Sequence, residues 1–133
     1  MRINILADKE IELEQHPEIK ITIGALTYQQ FKQQKAIMNK YLSDYLARGN
    51  KIENFSIIGA DKWFEFVCRH GIRAISGCEY EQGDKVIALE LKRSESTYDS
   101  TITKESWGQL FPFLDGEIPV VADLISNLYQ KKS

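Results

Sequence analysis

Apolar residues recur at two periods along this chain. In the first 23 residues the period is two. Ile3 and Ile5, then Ile11 and Leu13, then Ile19, Ile21 and Ile23 alternate with polar positions. That spacing puts each set on one face of a sheet. Ala7-Asp8-Lys9 and Gln15-His16-Pro17 supply the turns, the second through proline's fixed φ. A small antiparallel hairpin or meander is expected. Its apolar face needs a cover, because a lone hairpin is marginal in water.

From Thr27 the period lengthens to that of a helix. Thr27 and Gln30 form a capping box. The helix is expected from about Tyr28 to Arg48, with Gly49 as its left-handed C-terminal residue. Tyr28, Phe31, Met38, Tyr41, Leu42, Tyr45 and Leu46 share one arc with Lys35. Gln29, Lys32, Gln33, Asn39, Lys40, Ser43 and Asp44 lie opposite, and Ile37 is off the arc. The arc is the face expected to dock, with its tyrosine hydroxyls left wet. A second helix is expected over roughly Asn54 to His70. Ile57, Ile58, Ala60, Trp63, Phe64, Phe66, Val67 and Cys68 cover nearly its whole circumference, which marks a central helix or one that buries a second face on a partner. Gly59 can break its first turns, and Gly71 reads as its C-terminal glycine.

Beyond it the pattern is looser. Ile72 to Ile75 is a short extended piece, followed by a Ser76-Gly77 turn. Glu81-Gln82-Gly83-Asp84 is another turn, and Ile87, Leu89 and Leu91 form one strand. Arg93 to Ser100 is polar and serine-rich, and reads as a mobile, protease-sensitive loop. Thr103 caps a short helix from Lys104 to about Phe111, which Pro112 ends. Asp115-Gly116 turns the chain into a last helix, with Pro119 in its first turn, that runs to about Gln130. Ile118, Val121, Ala122, Leu124, Ile125, Leu128 and Tyr129 form its docked face, and Lys131 to Ser133 is a tail. The expected fold is α+β, mainly helical, with a small N-terminal antiparallel β-sheet. One domain spans 1–133: a strand region 1–23, a helical body 27–71, a strand and mobile loop 72–103, and C-terminal helices 104–130.

Composition narrows the function. A chain of 133 residues suits one domain with one sizeable core. With 43% hydrophobic and 27% charged residues, wholesale disorder is excluded. No apolar run approaches the roughly 18 residues that span a bilayer, so no membrane partner is expected. The first residues are too few and too soon acidic for a secretory signal, which points to the cytoplasm. A net charge of −2 argues against nucleic acid as partner, since that affinity comes from cations on phosphate. Lys32, Lys35, Lys40 and Arg48 make the first helix locally basic, but they are spread around its wheel.

Candidate chemistry is sparse. Cys68, His70 and Cys78 fall within eleven residues, but the close pair points in different directions and four soft ligands are wanted. Both cysteines read as reduced, partly buried thiols, and no metal or cofactor is expected. A cysteine nucleophile needs a neighbouring base, and only His16 and His70 are available. The glycines form no phosphate-cradling loop. Glu10, Glu12 and Glu14, and Glu79 with Glu81, read as solvated strand faces. No catalytic residue is assigned, and the chain is not expected to be an enzyme. Trp63-Phe64-Phe66 and Trp107 with Phe111 and Phe113 read chiefly as core, with a share left for protein contact.

The order of features carries a resemblance. Ile21-Thr22-Ile23-Gly24-Ala25-Leu26-Thr27-Tyr28 leads into a long glutamine- and lysine-bearing helix. An aromatic helix ends in His70-Gly71-Ile72. Ile75-Ser76-Gly77-Cys78-Glu79-Tyr80-Glu81-Gln82-Gly83-Asp84 follows, and the chain closes on an aromatic, proline-containing segment and the helix from Ile118 to Tyr129. This layout resembles the tail assembly chaperones of long-tailed phages and prophages. In that family a leucine-threonine-tyrosine helix entry, an acidic-glycine turn after the second helix and a final short helix recur. Cys78 and the stretch Arg93 to Ser100 depart from the pattern. The resemblance implies a non-catalytic protein that binds the tape measure protein, keeps it soluble while tail tube subunits assemble, and is absent from the mature virion. Its place would be the cytoplasm of the bacterial host. Tail tube protein is a further implied partner, and self-association around an elongated client fits the role. The candidate protein-binding residues are Tyr28, Phe31, Tyr41 and Tyr45 on the first helix, plus Trp107 and Phe111. A second reading is a phage or mobile-element regulator that inhibits a host protein by direct binding. A third is an enzyme using Cys68 or Cys78.

Overall fold

The alternating isoleucines pair as their period requires, with one strand drawn from far along the chain. In the computed structural model, which describes residues 2–5, 8–56, 59–96 and 99–132, β2 (Lys9–Glu12) and β3 (Lys20–Ile23) form an antiparallel hairpin. β4 (Ile72–Ser76) joins the other edge of β3, giving the order β2-β3-β4. Ile11 faces Ile21, and Ile21 faces Ile75, so the apolar positions stack across the three strands. Ile21 and Ile23 are fully buried, while Glu10 and Glu12 are exposed. The predicted N-terminal sheet is therefore completed by a segment after the second helix. β1 (Arg2–Ile5) is not part of it. It pairs antiparallel with β9 (Tyr129–Lys132), Ile5 opposite Tyr129.

The predicted capping box starts the first helix. Thr27 Oγ1 accepts the Gln30 N–H at 3.2 Å, and Gln30 Oε1 accepts the Thr27 N–H at 3.0 Å. α1 spans Tyr28–Ala47, and Gly49 follows at φ +85°. Its docked face differs from the predicted arc. The side chains turned inward are Gln30, Gln34, Ile37, Met38 and Tyr41. Tyr28 and Leu46, at the far edge of the arc, are 60% and 42% exposed. Two hydrogen bonds explain the rotation. Trp63 Nε1 donates to Gln34 Oε1 at 2.7 Å, and Gln30 Nε2 donates to Asp99 Oδ1 at 2.6 Å. Satisfied in this way, the two amides can be buried at little cost.

The second helix is shorter than expected. Ile52–Asn54 is a 3-10 turn, and α2 runs Asp61–Gly71, starting behind Gly59 and Ala60. It is the central helix that its composition requires, packed on α1, β4 and the last helix. Gly71 does not terminate it in a left-handed conformation. A Cβ there would fall on the Ile125 side chain, so this glycine lets two helices approach closely. The chain passes straight from Gly71 into β4.

The stretch expected to be loose is a run of short hairpins. β5 (Glu79–Gln82) and β6 (Lys85–Ala88) pair around Gly83 at φ +65°. The strand expected over Ile87 to Leu91 thus lies earlier, with Leu89 donating its N–H to Cys78 O at 2.9 Å. The predicted mobile loop is a ladder: β7 (Arg93–Glu95) pairs with β8 (Ser100–Ile102). Arg93 holds it down, donating to Ile72 O at 2.6 Å, Ser100 O at 3.0 Å and Ser100 Oγ at 2.8 Å. The predicted positions Ala7, Ile57, Ile58 and Ser133, with 97 and 98 of this stretch, lie outside the described residues.

α3 spans Lys104–Leu114 and keeps Pro112 inside its last turn. Proline removes only one bond there, and the burial of Leu110 and Leu114 holds the turn. α4 spans Ile118–Ser126 with Pro119 in its first turn. It stops about four residues earlier than predicted, because Tyr129 and Gln130 are taken by β9. The result is an α+β fold whose buried residues form one apolar cluster between the three-stranded sheet, α2, α3 and α4.

Candidate functional site

The site is built where α2, α3 and the start of α4 meet. Positions i, i+3 and i+4 of α2 place Asp61, Phe64 and Glu65 on one face. α3 starts behind Thr103, whose Oγ1 accepts the Ser106 N–H at 3.2 Å, and sets Trp107 and Phe111 one turn apart. Asp115, Gly116, Ile118 and Pro119 close the third side. Together these residues line an open groove of about 620 Å³. Phe64 and Trp107 are buried at its floor, and Phe111 stands 46% exposed beside them. The Trp107 and Phe111 ring centroids are 6.3 Å apart at 33°.

The rim is acidic. Asp61 sits in the first turn of α2, where the positive helix end favours a carboxylate. Glu65 shares its charge with Arg69, Nη1 to Oε2 at 3.5 Å. Asp115 holds φ +30°, the one positive φ outside glycine among the described residues. That conformation reverses the chain between α3 and α4, and the Asp115 N–H is satisfied by Phe111 O. An apolar floor with an open top and few convergent donors suits the side chains of an apolar helix better than a small polar substrate.

The six sequence-predicted contact residues do not converge. Trp107 and Phe111 are in the groove. Tyr28 and Phe31 are at the start of α1, with Lys32 Nζ 5.3 Å from the Tyr28 ring centroid and Lys35 Nζ 4.9 Å from that of Phe31. Tyr41 and Tyr45 are occupied internally. Their hydroxyls donate to Ser56 O at 3.3 Å and Lys51 O at 3.2 Å, and both rings clamp Phe55 at 5.7 and 5.4 Å. They pin the 51–56 segment onto α1. A smaller hollow of about 430 Å³ opens beside them, lined by Ile37, Tyr41, Gly59 and Trp63, with the Lys40–Asp44 ion pair at 3.4 Å on its lip. The groove residues Asp61, Glu65, Ile118 and Pro119 were not expected. The spacing of Asp61, Phe64 and Glu65 was a visible signal, but only α3 shows that this face stays open.

Neither cysteine lies in the groove. Burial pushes the Cys68 thiol up to about 12, and burial together with the Glu18 charge pushes Cys78 up to about 11. Since the thiolate is the nucleophile, both are expected to label slowly with a thiol reagent at neutral pH and rapidly once urea unfolds the chain. Rapid labelling of either in the folded protein would favour the cysteine-enzyme reading. The same shifts fix a pH effect. The folded state holds both protons more tightly than the unfolded state. Their contribution is therefore complete below the unfolded thiol value and is lost as pH rises toward about 11 and 12. Urea midpoints should fall in that alkaline window.

Among the described residues no three His, Cys, Asp or Glu side chains gather as metal ligands, and no helix is long and apolar enough to cross a membrane. Comparison with protein-family models, with curated proteins and with solved structures returned no match.

Proposed function

We propose that this chain is a non-catalytic protein-binding domain that acts as a phage tail assembly chaperone, holding an apolar helical segment of the tape measure protein in the α2–α3–α4 groove. The observation that supports it is the half-exposed Phe111 above buried Trp107, in a helix-lined channel with an apolar floor. A helix laid in such a channel buries its apolar stripe and leaves its polar face wet. The order of sequence elements supplies the family part of the reading and names the client. On this reading the protein works in the cytoplasm of the bacterial host, leaves before the virion is finished, and meets the tail tube protein as a second partner.

Co-expression with a fragment of the tape measure protein is the test. The fragment should become soluble and co-purify with the chain. Failure of the two to associate under those conditions would remove the chaperone reading.

A further inference from the structure

The floor of the groove and its rim call for different chemistry. Phe64, Trp107 and Phe111 favour apolar surface, and a helix laid on them covers the rim as well. The rim carries the carboxylates of Asp61, Glu65 and Asp115. Glu65 is already tied to Arg69, Nη1 to Oε2 at 3.5 Å. Asp61 and Asp115 are exposed and, among the described residues, have no ion pair and no side-chain hydrogen bond. The dipole of α2 accounts for a charge at Asp61. It does not account for Asp115, which lies between α3 and α4 at φ +30°, where asparagine is equally suited. In the free chain water solvates both carboxylates. A wholly apolar occupant would take that water away and leave two charges without partners, which is costly.

We infer that the client segment carries a basic side chain beside its apolar stripe, and that Asp61 and Asp115 select it. The site is the groove of the proposed function, on which this selection rests. The apolar stem of the basic residue lies along Phe111, which is 46% exposed beside Trp107. Its cationic head meets the two carboxylates. Arginine fits better than lysine, because its planar guanidinium stacks on an aromatic face while it donates to carboxylates. The groove then discriminates as well as holds. An apolar helix without a cation binds weakly, and one with an acidic residue at that place is rejected.

Three peptides test this on the unmodified full chain. Each is an amphipathic helix with the same leucine stripe, and they differ at one flanking position, which holds arginine, glutamine or glutamate. By titration calorimetry at low salt, the arginine peptide should bind about tenfold tighter than the glutamine peptide, and the glutamate peptide more weakly still. Raising the salt concentration should erase most of the difference. Equal binding of all three, or binding of none, overturns the inference. Asp61→Asn combined with Asp115→Asn should then remove the preference for arginine without weakening the glutamine peptide, in a chain that circular dichroism shows to be folded. Glu12→Gln changes the net charge equally but on β2, and should keep the preference. A preference that survives loss of both aspartates overturns their assignment. Retention of the tape measure fragment by a chain indifferent to peptide charge sinks the selection alone. A chain that prefers the arginine peptide and retains no tape measure fragment sinks the chaperone reading alone.

Discussion

Replacing Gly77 with alanine is expected to destabilise the fold by about 3 kcal/mol. Two effects add at this position. Gly77 follows β4 at φ +86°, and a left-handed backbone costs an L-residue roughly 1–2 kcal/mol. A Cβ at Gly77 would also fall on the Glu18 carbonyl, with the Glu18 carbonyl carbon at 2.8 Å and Ile19 Cα at 3.1 Å. These are backbone atoms at the entry to β3, and they cannot swing aside as a side-chain tip can. Moving them disturbs Ile19 and Ile21, which are 3% and 0% exposed, and overpacking of this kind costs about 1–3 kcal/mol. Gly83 is the control. Its φ is also positive, at +65°, but nothing lies within 4 Å of an added Cβ. Gly83→Ala should therefore cost only the backbone strain, about 1 kcal/mol. Urea or thermal unfolding measures both. Equal losses at the two positions would show that the Glu18 segment yields, and that the close approach contributes nothing.

That pair of glycines shows what the sequence could convey. The turn at Gly83-Asp84 is local and was legible, as were the Thr27–Gln30 box, Gly49 and the Pro119 helix start. The features that were misread depend on partners distant in sequence. Gly71 looks like a helix stop, and its real constraint is Ile125, more than fifty residues on. Arg93 to Ser100 has the composition of a loop, but a carbonyl at Ile72 and the strand geometry around Ser100 give its arginine three acceptors. Gln30 and Gln34 look like surface residues; beyond the local Thr27 bond to Gln30, the distant Asp99 and Trp63 supply the partners that offset their burial.

The same logic governs the candidate site. Aromatic residues at helical spacing mark faces that avoid water, and do not say which face meets the core. Tyr41 and Tyr45 found Phe55 and two carbonyls of their own chain. Trp107 and Phe111 share a face of α3 but differ in depth, 9% against 46% exposed. Nothing in the local pattern separates the two. The depth is set by Phe64 on α2 and by the short turn at Asp115, which brings α4 up beside the groove without closing it.

That difference in depth separates stability from binding, and yields the largest expected contrast. Trp107→Ala should cost about 3–5 kcal/mol, the range for deleting a buried aromatic side chain. It removes the groove floor and opens a cavity between α2 and α3, so loss of client binding in this variant would carry no information about contact. Phe111→Ala should cost no more than about 1 kcal/mol, because roughly half of its surface is already in water and alanine is the better helix former. If Phe111 is the anchor that a client helix packs against, its truncation should weaken client binding by about 2 kcal/mol, or roughly thirtyfold, as central aromatic contacts usually do. Thermal melting and retention of a tape measure fragment on the immobilised chain measure the two effects separately. A Phe111→Ala variant with unchanged melting and weakened retention places the client in the groove. Unchanged retention would move the client elsewhere on the surface, whatever Trp107→Ala does.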